Sequence, residues 1–145
     1  MNLLSKSQIQ KSFSCVAICA ALCFASTVAG AAELIMFEQT GCAWCDTFDR
    51  EIAPIYPKTA EARRAPLRRV NIDQPLPQDL EFIAVERLAP LFVLVDKGRE
   101  IGRIRGYPGA DNFWGLLDAL MKTLDADGTG RKREESREKS LHAAG

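Results

Sequence analysis

Cys42-Ala43-Trp44-Cys45, set just behind the apolar run Leu34-Ile35-Met36-Phe37, constrains this chain more than any other stretch. A continuous apolar run of that length is expected of a strand covered on both faces. Gln39-Thr40-Gly41 then turns the chain, and from Cys45 onward Phe48, Ile52 and Ile55 fall at helical intervals. A thiol at a helix N-terminus meets unpaired N–H groups and the positive end of the helix dipole, and both favour the thiolate. Cys45 lies on the apolar stripe and is predicted to face the core. Cys42 precedes the first turn and is predicted to be the more exposed of the two. An exposed thiolate can attack a disulfide, and a second thiol one turn inside can resolve the mixed disulfide. The spacing alone leaves zinc sites, copper sites and plain structural disulfides open.

The cysteine count narrows these alternatives. Residues 1–31 carry Lys6 and Lys11, an apolar run from Phe13 to Ala25, and the small residues Ala29-Gly30-Ala31, the layout of a cleaved secretory signal peptide. Ile18 and Leu22 precede Cys19 and Cys23, where a lipoprotein signal wants a small residue. Cleavage removes Cys15, Cys19 and Cys23 and leaves one pair, Cys42 and Cys45, in an oxidising compartment where disulfides persist. A disulfide closing so short a loop contributes little as a staple, because loop-closure stabilisation grows with loop length. Chemistry explains the pair better. The 19 basic and 19 acidic residues of the whole chain cancel, so the charge gives no reason to expect nucleic acid. Structural zinc wants four ligands, and the mature chain would offer two cysteines and His142 near its end. A two-thiolate Cu(I) site stays open.

The rest of the chain reads as one small α/β unit. Pro54 and Pro57 end the first helix near Tyr56, and Leu67 to Ile72 is predicted as a second strand. Gln78 to Arg87 is predicted as a short helix with Leu80, Ile83 and Ala84 inward. Leu91 to Val95 and Glu100 to Arg105 pair around Asp96-Lys97-Gly98, and the imperfect alternation of Ile101 and Ile104 predicts a bulge near Gly102. Phe113, Leu116, Leu117, Leu120, Met121 and Leu124 mark a final amphipathic helix capped by Gly109 or Asp111. Tyr107 and Trp114 are read as packing residues. Residues 125–145 are charged and nearly devoid of apolar side chains, which predicts a disordered tail with at most a fluctuating helix over 131–141.

Cys42-Ala43-Trp44-Cys45, Leu88-Ala89-Pro90-Leu91-Phe92-Val93, Gly98, Arg105-Gly106-Tyr107, Phe113-Trp114 and Leu117 together resemble the thioredoxin superfamily across residues 33–124. The resemblance implies a thioredoxin-like fold, a mixed sheet of about four strands flanked by helices, over a domain spanning 32–124. It also implies a cis peptide at Pro90 packed against the sulfurs, a substrate-binding backbone edge at Ala89, Cys42 as nucleophile and Cys45 as resolving thiol. Trp44, between the cysteines, is read as an exposed contact for a substrate protein. Glu38-Gln39-Thr40-Gly41 ahead of the pair, Pro54 well into the helix, and Gly106-Tyr107-Pro108-Gly109 look most like the small exported SoxS-type thioredoxins associated with bacterial sulfur oxidation.

That likeness implies a periplasmic monomer that needs no cofactor beyond a redox-active Cys42–Cys45 disulfide. Its partners would be a periplasmic protein bearing a cysteine or disulfide, such as a sulfur carrier, and a membrane thiol transporter as electron donor. A dithiol oxidant is the runner-up in the same class. The chain departs from thioredoxin itself at two places. Met36 stands where thioredoxin has a buried Asp, and Ala-Trp replaces Gly-Pro between the cysteines. Glu38 is then a candidate proton acceptor for Cys45, against the plainer reading of a solvated glutamate.

Overall fold

The computed structural model describes residues 32–143; the expected signal peptide lies outside the described residues. The elements run β1 (Glu33–Glu38), α1 (Ala43–Glu51), a 3-10 turn (Tyr56–Lys58), α2 (Ala60–Arg64), β2 (Leu67–Asn71), a second 3-10 turn (Gln78–Leu80), β3 (Leu91–Asp96), β4 (Arg99–Arg105) and α3 (Ala110–Ala143). The sheet has the order β2-β1-β3-β4, with β2 parallel to β1 and β3 antiparallel to both its neighbours. This is the mixed, four-stranded sheet with flanking helices that the sequence predicts.

Period-two alternation divides the core into two layers. Leu34 and Met36 of β1, with Phe92 and Leu94 of β3, join Cys45, Phe48 and Ile52 of the α1 region and Phe113, Leu117 and Met121 of α3. Ile35, Phe37, Leu91, Val93 and Val95 face the other way, onto Val70, Leu80 and Ile83. Both central strands are therefore apolar on two faces, which is why each reads as an unbroken run. The predicted bulge is present: Leu94 pairs with Gly102 and Val95 with Glu100, leaving Ile101 as the extra residue. Gly102 also lets α3 approach, since a Cβ there would lie 2.6 Å from Leu120 Cδ2.

Three expectations need correcting. No helix forms over Gln78 to Arg87. Leu80 and Ile83 are buried, but only residues 78–80 are helical, as a 3-10 turn behind Pro77, and Ala84 is exposed. Leu80 and Ile83 cover that face of the sheet together with the partly buried Ile72, Leu76 and Val85, so an irregular segment fills the layer without a longer helix. The helix α1 stops at Glu51, ahead of Pro54, so Ile55 is 46% exposed and Tyr56 takes its place in the core. Tyr56 donates a hydrogen bond to Ala65 O at 2.6 Å and stacks on Trp114.

The third concerns the tail. Helix α3 does not end at Leu124 but continues to Ala143. Its 34 residues would measure about 51 Å, against roughly 20 Å for the strands beneath it. Only the first turns find a core, at Phe113, Leu117 and Met121. Beyond them charge takes over from packing. Asp125 pairs with Arg64, Asp127 with Arg99, and Arg131 with both Asp96 and Asp127. Glu135 and Lys139 make a further pair at i,i+4. Exposed pairs of this kind each add little, and they act on a helix already nucleated by its buried turns.

Candidate active site

The fold brings the cysteine pair to the end of the sheet where β1 stops. Gly41, at φ +74°, turns the chain out of the strand, a conformation that costs glycine little. Cys42 then caps α1 in extended conformation, at φ −80° and ψ 97°, and its Sγ accepts the Cys45 N–H at 3.1 Å. The Asp46 N–H goes to Cys42 O at 3.1 Å. The cap sulfur therefore takes the place usually held by an Asp, Asn, Ser or Thr oxygen, with a free N–H aimed at it. A negative charge developing on that atom is stabilised by this N–H and by the helix dipole behind it.

Cys42 and Cys45 are joined in a disulfide with their Cα atoms 5.2 Å apart. Both residues are buried, Cys42 at 6% exposure and Cys45 at 4%. The expected contrast between an exposed and a buried thiol is thus corrected. The cap geometry folds Cys42 back over the first turn, toward the N–H of Cys45, instead of outward. Trp44 supplies the exposure, at 62%, and stands beside the pair as the sequence predicts.

The Ala89–Pro90 peptide is cis, and Pro90 is buried while Ala89 stays partly accessible. Pro90 O accepts the N–H of Gly106 at 2.9 Å, which ties the start of β3 to the chain leaving β4. Trp44 and Ala89 share a shallow depression of about 240 Å³ with Leu88, Arg105, Gly106, Tyr107 and Pro108. Tyr107 packs as expected, with its ring 5.7 Å from Phe48 and 6.1 Å from Phe113, yet it also forms part of this depression. Sequence reasoning gave it no part in the site. The signal available was its place between two glycines, Gly106 and Gly109, both at positive φ.

Glu38 is not a solvated glutamate. Its carboxylate accepts the Arg69 Nε–H at 3.1 and 3.2 Å, and Arg69 also binds Asp49 of α1. One guanidinium so links β1, β2 and the cysteine-bearing helix, and holds the Glu38 carboxylate in an ion pair. His142 is exposed near the end of α3. Among the described residues no three or more His, Cys, Asp and Glu side chains converge as a metal-binding group.

A helix capped by the first cysteine of a Cys-x-x-Cys pair, beside a cis-proline loop on a mixed sheet, defines a thioredoxin-like dithiol protein. The reduced form of the periplasmic thioredoxin SoxS from Paracoccus pantotrophus matches this chain at 46% identity and a TM-score of 0.60, over 64% of this chain and 98% of that one. A thioredoxin of Malassezia sympodialis, Mala s 13, matches at 21% identity and a TM-score of 0.49, over 64% and 79%. No protein-family profile and no curated protein sequence matches. The chain belongs to the thioredoxin superfamily and, within it, to the SoxS-like thioredoxins. Its function is thiol–disulfide redox chemistry at Cys42 and Cys45.

Proposed function

We propose that the protein is exported to the periplasm and there reduces a disulfide, or a mixed disulfide, on a partner protein. The Cys45 N–H directed at Cys42 Sγ carries the thiol exchange itself, because it selects Cys42 as the sulfur that bears negative charge, and the likeness to the periplasmic thioredoxin SoxS supports the periplasmic setting. In the reduced protein the Cys42 thiolate attacks one sulfur of the partner's disulfide. The other sulfur leaves as a thiolate and takes up a proton. Cys45 then loses its proton and attacks Cys42 Sγ, which breaks the mixed disulfide and releases the partner's second thiol. Two electrons have moved to the partner, and the Cys42–Cys45 disulfide is what remains. A donor dithiol, such as a membrane thiol transporter, reverses the exchange and restores the reduced form. Trp44 and Ala89 flank the attacked bond and offer an aromatic face and a backbone edge to the partner chain. The protein works as a monomer, and nucleic acid has no part in the reaction.

Oxidation of partner dithiols is the second reading, and the same hydrogen bond favours it. Stabilising the thiolate stabilises the reduced protein and makes the disulfide a stronger oxidant. The two readings separate on potential. Equilibration with glutathione should give a value toward about −270 mV for a reductant and toward about −120 mV for an oxidant. The chemistry itself is tested with a disulfide-bonded reporter protein. Cys45→Ser should accumulate a mixed disulfide through Cys42, and Cys42→Ser should accumulate none. Tight Cu(I) binding without any exchange would overturn the proposal in favour of a metal-binding module.

A further inference from the structure

Tyr107 makes one contact that its packing does not require. Its hydroxyl donates a hydrogen bond to Glu51 Oε2 at 2.6 Å. The ring is buried against Phe48 and Phe113, which a phenylalanine would satisfy equally well. A buried phenol, however, must find an acceptor, and here the acceptor stands on α1, one turn beyond Phe48. Burial and the neighbouring carboxylate push the Tyr107 hydroxyl above its ordinary range, so it remains a donor at any physiological pH.

The segment 106–109 is fastened by four hydrogen bonds, one of them the Phe113 N–H on Gly109 O at 2.9 Å. Gly106 N–H donates to Pro90 O at its start, and Asn112 Nδ2 donates to Pro108 O at 3.2 Å at its end. Of these only the Tyr107–Glu51 bond reaches the helix that carries the cysteines, where the Tyr107 ring also packs on Phe48. Gly106 and Gly109 both adopt positive φ, and an added Cβ would meet nothing within 4 Å at either position. Packing at the glycines therefore does little to hold the segment in place. Yet Gly106, Tyr107 and Pro108 form the wall of the depression that faces Trp44 and Ala89.

We propose that Glu51 is a positioning residue for recognition of extended substrate chains: through Tyr107 it fixes the 106–109 wall at groove-forming distance from Trp44. The inference rests on the thiol–disulfide reading above and deepens it. Glu51 acts through Tyr107 and touches no reacting atom. A protein substrate must lie along the wall, whereas a small disulfide can reach Cys42 without it.

The test compares two oxidised substrates on the reduced protein, insulin and hydroxyethyl disulfide, in wild type, Tyr107→Phe, Glu51→Ala and Glu51→Gln. Tyr107→Phe keeps the aromatic packing, and the Gln amide oxygen can still accept the tyrosine proton. The ratio of kcat/KM for insulin to that for hydroxyethyl disulfide should fall about fivefold in Tyr107→Phe and Glu51→Ala, as expected for one lost hydrogen bond. In Glu51→Gln the ratio should recover to about half the wild-type value or better, since the acceptor is retained. A ratio unchanged in Tyr107→Phe, or Glu51→Gln behaving like Glu51→Ala, overturns the inference while leaving the function intact. A wild type that exchanges with neither substrate overturns the function as well.

Discussion

At the end of the sheet where β1 stops, backbone groups and apolar contacts hold the cysteine pair itself, with the Glu38–Arg69–Asp49 ion pairs to one side. At the end where β3 turns into β4, the chain is held by charges. The first end has the Cys45 N–H on Cys42 Sγ, the Gly106 N–H on Pro90 O, and an exposed Trp44 beside the disulfide. The second has Asp96, 8% exposed and the buried charged residue among those described, closed over by Arg131 from α3. Asp127 joins Arg99 to Arg131 beside it. The difference follows from what each end must do. On the proposed function, a sulfur that exchanges with a partner's disulfide has to be polarised by groups that cannot swing away, while its surroundings stay open to an incoming chain. Backbone N–H groups at a helix start meet both conditions. The far end has only to be closed, and long charged side chains from an overshooting helix suffice.

If the division is real, damage should separate by end. Phe48 sits beneath the cysteine pair and touches Phe92, Tyr107 and Phe113. Phe48→Ala should cost about 3–5 kcal/mol in urea unfolding and also slow exchange, because the floor of the site goes with it. A stable Phe48→Ala variant would break the comparison at its apolar end. Arg131→Ala leaves the Asp96 carboxylate without that partner, and should cost about 1–3 kcal/mol. Its exchange rate constants should match those of wild type. Altered exchange kinetics in Arg131→Ala would mean that the two ends are coupled through α3 after all.

The smallest effect is expected at Glu86, which belongs to the site end but behaves like the charged one. Its carboxylate accepts hydrogen bonds from Arg105 and Arg103, which pull it down to about 2. A carboxylate depressed in the folded state stabilises the fold above its ordinary titration range, and that contribution is lost as pH falls through the depressed value. The relevant window runs from about 4.5 down to about 2. Stability measured against pH across that window should fall less steeply in Glu86→Gln than in wild type. An unchanged slope would place the acid sensitivity elsewhere.

The site was more legible than the domain around it. Cys42, Trp44, Cys45, Ala89 and Pro90 are nearest neighbours in sequence or flank a single strand start, so local rules and a family resemblance reach them. The bulge at Ile101 was legible for a similar reason, because a broken alternation within one strand reports it directly. Glu51 and Tyr107 were not, since their bond spans 56 positions and neither residue breaks a pattern. The partner of Glu38 was equally hidden: Arg69 lies 31 residues away, and only the parallel register of β1 with β2 sets it opposite.

Sequence alone determined that a cysteine pair stands at a helix start and that β1 and β3 are apolar on two faces, because hydrophobic period and helix starts are properties of a few consecutive residues. Tertiary structure decided the rest. It buried Cys42 by turning the cap sulfur back toward Cys45, and it ended α1 early enough to exchange Ile55 for Tyr56 in the core. It also carried α3 to Ala143. Composition judged 125–143 by its lack of apolar residues, but the partners that hold its beginning, Arg64, Asp96 and Arg99, belong to other elements. Ion pairs between distant elements leave no periodic trace in the residues that make them.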